Sequence, residues 1–314
     1  MLIKLGYACI SKTIENVTPS TNYTYTEYLK TKNISKLNEI IISNLKDLNI
    51  LIDYNIRNNI HFFRLSSKII PLATRLDVIF DYKEKYLEYY KLIGEKIKNS
   101  NMRCDFHPDQ FCVLNSVRTE VLDNTIEILK YHYNLLNYLN IENKLLVLHI
   151  GSSVLGKENA KTRFIDNFKK LPVEIQKCIA IENDDKVFNI KDCIDIYSEI
   201  KTPIVLDYHH HLCNNDGQDI NNYLPTVLNS WNNITPKMHY SSPKNKTKKE
   251  FRSHHDFINS DSFINFIELI KVYNKDVDIM IEAKAKDMAL FKLIRELKYK
   301  TNYKFIDETT FSIL

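Results

Sequence analysis

Eight short runs rich in apolar and β-branched residues recur along the chain, and longer stretches with helical spacing separate them. The runs are residues 3–10, 61–67, 103–108, 144–150, 177–183, 202–208, 236–242 and 277–283. In the stretch after the first run, Leu37, Ile40, Ile41, Leu45 and Leu48 fall on one face of a helix, about residues 35–57. Crossovers of this length suit parallel pairing of consecutive strands. Unbroken apolar segments such as LLVL, IAI and IVL fit strands buried on both faces. Eight strand–helix units predict a closed (β/α)8 TIM barrel rather than an open sheet. No linker or composition break divides the 314 residues, so residues 1–314 are expected to be a single domain, with an extra tail after about residue 302.

Composition sets outer limits. Charged residues make up 26% of the chain and the net charge is +4, a balance that permits nucleic-acid binding without demanding it. The six cysteines form no CxxC pair and no disulfide framework, which suits buried free thiols in a reducing compartment. No apolar run reaches the ~18 residues of a membrane span, and no signal peptide is visible. A soluble intracellular protein is expected, located wherever its substrate is.

Chemistry is concentrated where the predicted strands end. The third ends at His107, the fourth at His149, the fifth at Glu182 and the sixth at Asp207, followed by His209, His210 and His211. The seventh carries His239 and the eighth ends at Glu282. Active sites of (β/α)8 barrels lie at the C-terminal strand ends, and neighbouring strands run about 4.8 Å apart, so these residues can converge. One histidine at a strand end is more often a hydrogen-bonded rim residue, and one Asp or Glu there can cap the next helix. Repetition over six consecutive strands is what such readings leave unexplained. Imidazoles mixed with carboxylates suit divalent ions. Several carboxylates suggest two ions about 3.5–4 Å apart, the usual device for phosphodiester hydrolysis, with Glu182 as the bridge.

Side-chain parity refines the set. Lys237 and His239 share a face, as do Glu282 and Lys284 if that strand continues. Asp207 and His210 converge only if the chain turns after Tyr208, and His209 remains a rival to His210. A basic loop, KNKTKKEFR, follows the seventh strand; Lys244, Lys246, Lys248 and Lys249 are either solvated or contacts to a phosphate backbone. Gln110 and Phe111, just beyond His107, and Tyr7, near the end of the first strand, are either mouth residues able to touch bases or core residues.

The motifs LGYACI, FRLSSKIIPLAT, FHPDQFCVLNS, LVLHIGS, IENDD, LDYHHH, PKMHYSS, HHDF and IEAKAKD, in this order, resemble the UV damage endonuclease family over residues 2–290. The resemblance implies a TIM barrel that cuts damaged double-stranded DNA immediately 5′ to UV photoproducts and some other lesions. It implies two or three divalent ions, commonly Mn2+, with Zn2+ or Mg2+ as alternatives. By matching motif, His107, His149 and Glu182 hold one ion, and Glu182, Asp207, His239 and Glu282 surround a second. His210 and His255 resemble ligands of a third. Glu182, Lys237 and Glu282 are the expected catalytic residues, Lys237 matching a family lysine that can be carboxylated. Tyr7, Gln110 and Phe111 match positions that probe the lesion. The family usually has His after IIPLAT; this chain has Arg75, so the role of that His does not carry over, and Arg75 either contacts phosphate or marks an altered outer metal site. Three other readings compete: an abasic-site nuclease of the endonuclease IV type, a metal-dependent sugar isomerase on a similar barrel, and an inactive DNA-binding scaffold. A monomer with no obligate protein partner and no membrane contact is expected.

Overall fold

Each of the eight apolar runs forms a strand in the computed structural model, which describes all residues except Gln110, Lys246, Lys248, Lys249 and Leu314. In chain order the elements are β1 (Leu2–Ala8), α1 (Tyr25–Thr31), α2 (Ile34–Arg57), β2 (Phe62–Arg64), α3 (Leu87–Asn99), β3 (Arg103–Asp105) and α4 (Thr119–Tyr138). They continue with β4 (Leu146–His149), α5 (Lys157–Lys170), α6 (Val173–Gln176), β5 (Ile179–Glu182), α7 (Ile190–Ile200), β6 (Ile204–Asp207) and α8 (Tyr208–Cys213). Last come α9 (Leu224–Asn229), β7 (Lys237–Tyr240), α10 (Ser260–Lys271), β8 (Val277–Ile281), α11 (Lys286–Lys300), β9 (Lys304–Phe305) and β10 (Thr310–Ser312). Strands pair in parallel in the order β3-β2-β1-β8-β7-β6-β5-β4. Between β3 and β4 the ring is joined by two bonds, Phe106 N to Leu145 O at 3.1 Å and Val147 N to Phe106 O at 3.0 Å. The result is a nearly closed (β/α)8 barrel.

Alternation along each strand divides the molecule into two packed zones. Ile3, Leu5 and Tyr7 of β1, Ile179 and Ile181 of β5 and Ile279 and Ile281 of β8 belong to the main core, together with the buried faces of the helices. Residues of the opposite parity form separate interior clusters: Ala8, Phe62 and Met280 on one side, and Leu145, Val147, Ala180, Val205 and Trp231 on the other. The same inward parity carries Arg64, Asp105, His149, Glu182, Asp207, Lys237 and His239. At the opposite end, Arg103 pairs with Asp278 at 2.8 Å beneath the Trp231 ring. Charge is therefore admitted to the barrel interior at both ends, and every charge there has to be met.

The C-terminal residues are not a loose tail. β9 and β10 form a hairpin, and β10 pairs antiparallel with Leu2–Lys4 of β1. β2 pairs with β1 at Tyr7 and Ala8, so the hairpin fills the stretch of β1 edge that β2 leaves free. Among the described residues no helix is long and apolar enough to cross a membrane.

Gly6 marks the tightest place in the ring. A Cβ there would stand 2.1 Å from the carbonyl oxygen of Phe62, and backbone cannot yield without spreading β1 from β2. Gly6→Ala is expected to lower the unfolding free energy by about 2–3 kcal/mol, as an overpacked core does; urea melts of the two proteins measure it.

Candidate metal centre

Three groups of donors meet at the C-terminal end of the barrel: His107, His149 and Glu182; Glu182, Asp207 and His210; Asp207, His239 and Glu282. Within each group the candidate ligand atoms lie within 4.8 Å of one another. Glu182 and Asp207 are each shared by two groups, so the three are continuous. Glu182 is the centre of this arrangement. Its Oε2 lies 2.7 Å from His107 Nε2 and 3.5 Å from His149 Nε2. Its Oε1 lies 2.6 Å from His239 Nδ1 and 3.8 Å from His210 Nδ1. Each oxygen of one carboxylate thus faces a different pair of imidazoles.

Local sequence explains the placement. Asn183, next to Glu182, accepts from Asp207 N at 2.9 Å and donates to Asp207 O at 3.0 Å, tying the end of β5 to the end of β6. Asp207 then caps α8, with Oδ1 accepting from His210 N at 2.8 Å. The turn into α8 swings His210 back over the barrel, where its Nδ1 is 2.9 Å from Asn183 O. The chain therefore does turn at Tyr208, and the mismatch of parity between Asp207 and His210 disappears. His209 stays buried beside Cys213 Sγ at 3.8 Å, and His211 packs on Tyr208.

Beneath the histidines lies a layer of paired charge. Lys237 Nζ is 2.7 Å from Asp105 Oδ2, with both side chains fully buried. Arg64 NH2 is 2.9 Å from His239 Nε2. It also lies 2.6 Å from Glu282 Oε1, an ion pair whose angles do not make a hydrogen bond. Burial pulls Lys237 down to about 8, although Asp105 works in the opposite sense. Burial also opposes the Arg64 charge, but Glu282 and Asp105 outweigh it and hold Arg64 protonated. Burial pushes the Glu182 carboxyl up; His239, His149 and His107 more than reverse this and hold it well below its ordinary range. Burial lowers His107 and His239 despite Glu182, which favours neutral imidazole, the ligating form. Burial likewise opposes His210 protonation, but Asp207 and Glu182 raise it to about 9.

The donor set fits divalent cations. Four carboxylates, Asp105, Glu182, Asp207 and Glu282, face two basic side chains, Lys237 and Arg64, in one barrel end. Among the described residues, His149 Nδ1, Asp207 Oδ2 and Glu282 Oε1 are buried without a hydrogen-bond partner. Buried acceptors left open cost stability unless something meets them.

Several expected site residues lie elsewhere. Tyr7 has the parity of Ile3 and Leu5, so it points away from the mouth; its hydroxyl donates to Asn55 of α2 at 2.8 Å and its ring packs 5.0 Å from Phe63. It cannot reach a substrate at the mouth in this structure. His255 is exposed, its Nδ1 accepting from Phe257 N at 2.9 Å. Its backbone is held by Ser242 O and by Lys284 N, so the side chain that turns inward is the preceding one, His254. His254 Nδ1 lies 3.9 Å from Glu282 Oε2 and its ring 6.2 Å from His210. Arg75 is outside the cluster, stacked 4.2 Å over the Tyr25 ring on an exposed loop. Phe111 is exposed at the mouth, and Lys244 is exposed and paired with Glu250. Gln110, Lys246, Lys248 and Lys249 lie outside the described residues.

A profile for the family described as UV-endonuclease UvdE matches residues 3–311. The chain belongs to this family. A UV DNA damage endonuclease of Bacillus mycoides is 36% identical over 316 residues, covering 99% of each chain. One of Bacillus cereus is 37% identical over 303 residues, covering 95% of each. The crystal structure of SacUVDE superposes with a TM-score of 0.86 at 34% identity, covering 95% of this chain and 98% of that one. Endonuclease IV from Thermus thermophilus shares the fold alone, with a TM-score of 0.58 at 12% identity over 95% of this chain and all of that one.

In this UvdE-family chain, Arg64, Asp105 and His254 are the site residues that strand-end reasoning passed over. Parity was the available signal for Asp105, which stands two residues before His107 on the same face. The lowered Lys237 value means the fold disfavours its charged form, so stability on this account is highest above the unfolded value and falls as pH drops through about 8. Asp105→Asn leaves the buried ammonium unpaired and is expected to cost about 3–5 kcal/mol at pH 7. The loss should shrink near pH 9.5, where Lys237 is neutral in both folded proteins; urea unfolding at the two pH values measures the difference.

Proposed function

We propose that the protein is a metal-dependent DNA repair endonuclease that hydrolyses the phosphodiester immediately 5′ to UV photoproducts and some other lesions. The observation that carries this reading is the Glu182 carboxylate, with each oxygen facing its own pair of imidazoles at the mouth of a UvdE-family barrel. His107, His149 and Glu182 would hold one divalent ion, and Glu182, Asp207, His239 and Glu282 a second, with Glu182 as the bridge. His210 and His254 face the outer side, where a third would sit, His254 standing where His255 was expected. Such ions, with Mn2+ the first choice, supply Lewis-acid polarisation of a phosphate oxygen and a water acidic enough to attack at neutral pH.

The chain's own residues have separate tasks in this reading. Neutral His107 and His239 each keep one lone pair, because burial keeps the second proton off the ring; in His239 that lone pair accepts from Arg64 until a ligand takes its place. Arg64 holds Glu282 and His239 in register and keeps the carboxylate ionised. Lys237 and Asp105 support the floor below His239. Exposed Phe111 is available to touch a base at the mouth.

Supercoiled plasmid irradiated with UV and incubated with protein and Mn2+ is expected to be nicked far above unirradiated plasmid. Equal nicking of both, across several divalent metals, would sink the reading; preferential cutting of abasic plasmid would favour the endonuclease IV type of activity. Glu182→Gln is expected to lower incision by more than about 100-fold, beyond what loss of an outer-shell partner costs, while damaged-DNA binding stays measurable. Mn2+ at about 100 times its Kd should stabilise the wild-type fold by roughly 2.7 kcal/mol, and less in Glu182→Gln; thermal melts with and without chelator measure this.

A further inference from the structure

Two loops at the mouth are tied to each other through Asn115, Ser152 and Arg163. One follows β3 (residues 106–118) and the other follows β4 (residues 150–156), and His107 and His149 stand at their roots with ring centroids 5.1 Å apart. Buried Asn115 donates to Ser152 O at 2.8 Å and accepts from Ser152 N at 3.1 Å. Arg163 of α5 clamps both loops, with Nε on Asn115 O at 3.0 Å and NH2 on Val154 O at 2.5 Å. Gly151 allows the approach, since a Cβ there would meet Asn115 Oδ1 at 2.4 Å.

This frame ends in a turn over 153–156, closed by Gly156 N to Ser153 O at 3.0 Å. Leu155 is the third residue of that turn and has φ 63°. Turns that need positive φ there take Gly or Asn, because a Cβ at that φ is crowded against the following carbonyl oxygen. Leucine accepts this strain and gains no packing in return, for it is 71% exposed. Val154 beside it and Phe111 on the neighbouring loop are exposed as well. Exposed Arg118 and Lys68, on loops of the same face, have no carboxylate within 4.0 Å among the described residues. Strain kept in place by tied loops, with an apolar tip on the barrel end that also carries these cations, suits insertion into a polyanion that also offers apolar surface.

We infer that Leu155 is a duplex-reading residue, an apolar wedge that packs against an unstacked base step beside the cleaved phosphate and helps to tell damaged from intact DNA. This rests on the endonuclease reading. A lesion weakens stacking, so the wedge enters at lower cost there than in intact duplex.

Leu155→Asn tests it, because Asn tolerates positive φ and removes the apolar tip. The variant is expected to melt at or above the wild-type temperature while its preference for irradiated over intact plasmid falls about tenfold. A 2-aminopurine placed opposite the photoproduct should brighten less with Leu155→Asn than with wild type, and Leu155→Met should restore both signals. Unchanged preference and fluorescence in Leu155→Asn, with a wild type that does discriminate, would overturn the inference alone. Loss of melting temperature and preference together in both variants would reassign Leu155 to a structural role. A wild type with no preference for irradiated DNA would overturn both readings.

Discussion

Burying four carboxylates in one end of a barrel is the constraint around which this molecule is arranged. Asp105, Glu182, Asp207 and Glu282 are taken from water into a site where unmet charge is expensive. Lys237 and Arg64 offset part of it, each against a named partner, and His210, which Asp207 and Glu182 hold protonated, offsets more. A negative surplus is left, together with buried acceptor atoms that accept no hydrogen bond among the described residues. An arrangement of this kind suits divalent cations, and the charge states agree with that: Glu182 and Glu282 ionised, His107 and His239 neutral.

Precision in that site comes from the loops as much as from the strands. The strands deliver side chains to the rim at fixed spacing, but the β6–α8 junction turns His210 back over Glu182 only because Asp207 caps α8 and Asn183 holds Asp207. The same device recurs at β3 and β4, where Asn115 joins two loops by reciprocal bonds to Ser152. Side-chain amides do this work because they can mimic a backbone ladder where the ladder has ended.

Strand ends were the legible part of the site. His107, His149, Glu182, Asp207, His239 and Glu282 could be picked out because a parallel barrel puts every C-terminal strand end on one face. Residues outside that rule were misplaced or missed. Tyr7 sits near a strand end, yet its parity sends it to the helix layer against Asn55. In the HHDF segment two adjacent histidines carry equal sequence signal, and backbone bonds from Ser242 and Lys284 decide that His254 faces inward. Arg64 was hidden because a cation at a strand end does not look like a ligand, although it orders two of them. The hairpin of β9 and β10 was unreadable from so few residues, since its partner is an edge of β1 some 300 residues earlier.

The sequence by itself determined the barrel, the eight strands and the choice of donor residues, because hydrophobic periodicity and residue type are local properties that survive without knowledge of contacts. Only the tertiary structure decided which atoms meet. Whether Glu182 presents one oxygen to His107 and His149 and the other to His239 and His210, and whether His254 or His255 completes the rim, depends on backbone bonds between segments distant in the chain. The candidate metal centre was legible as a list of residues, and the meeting of its donors around one central carboxylate was decided by the fold.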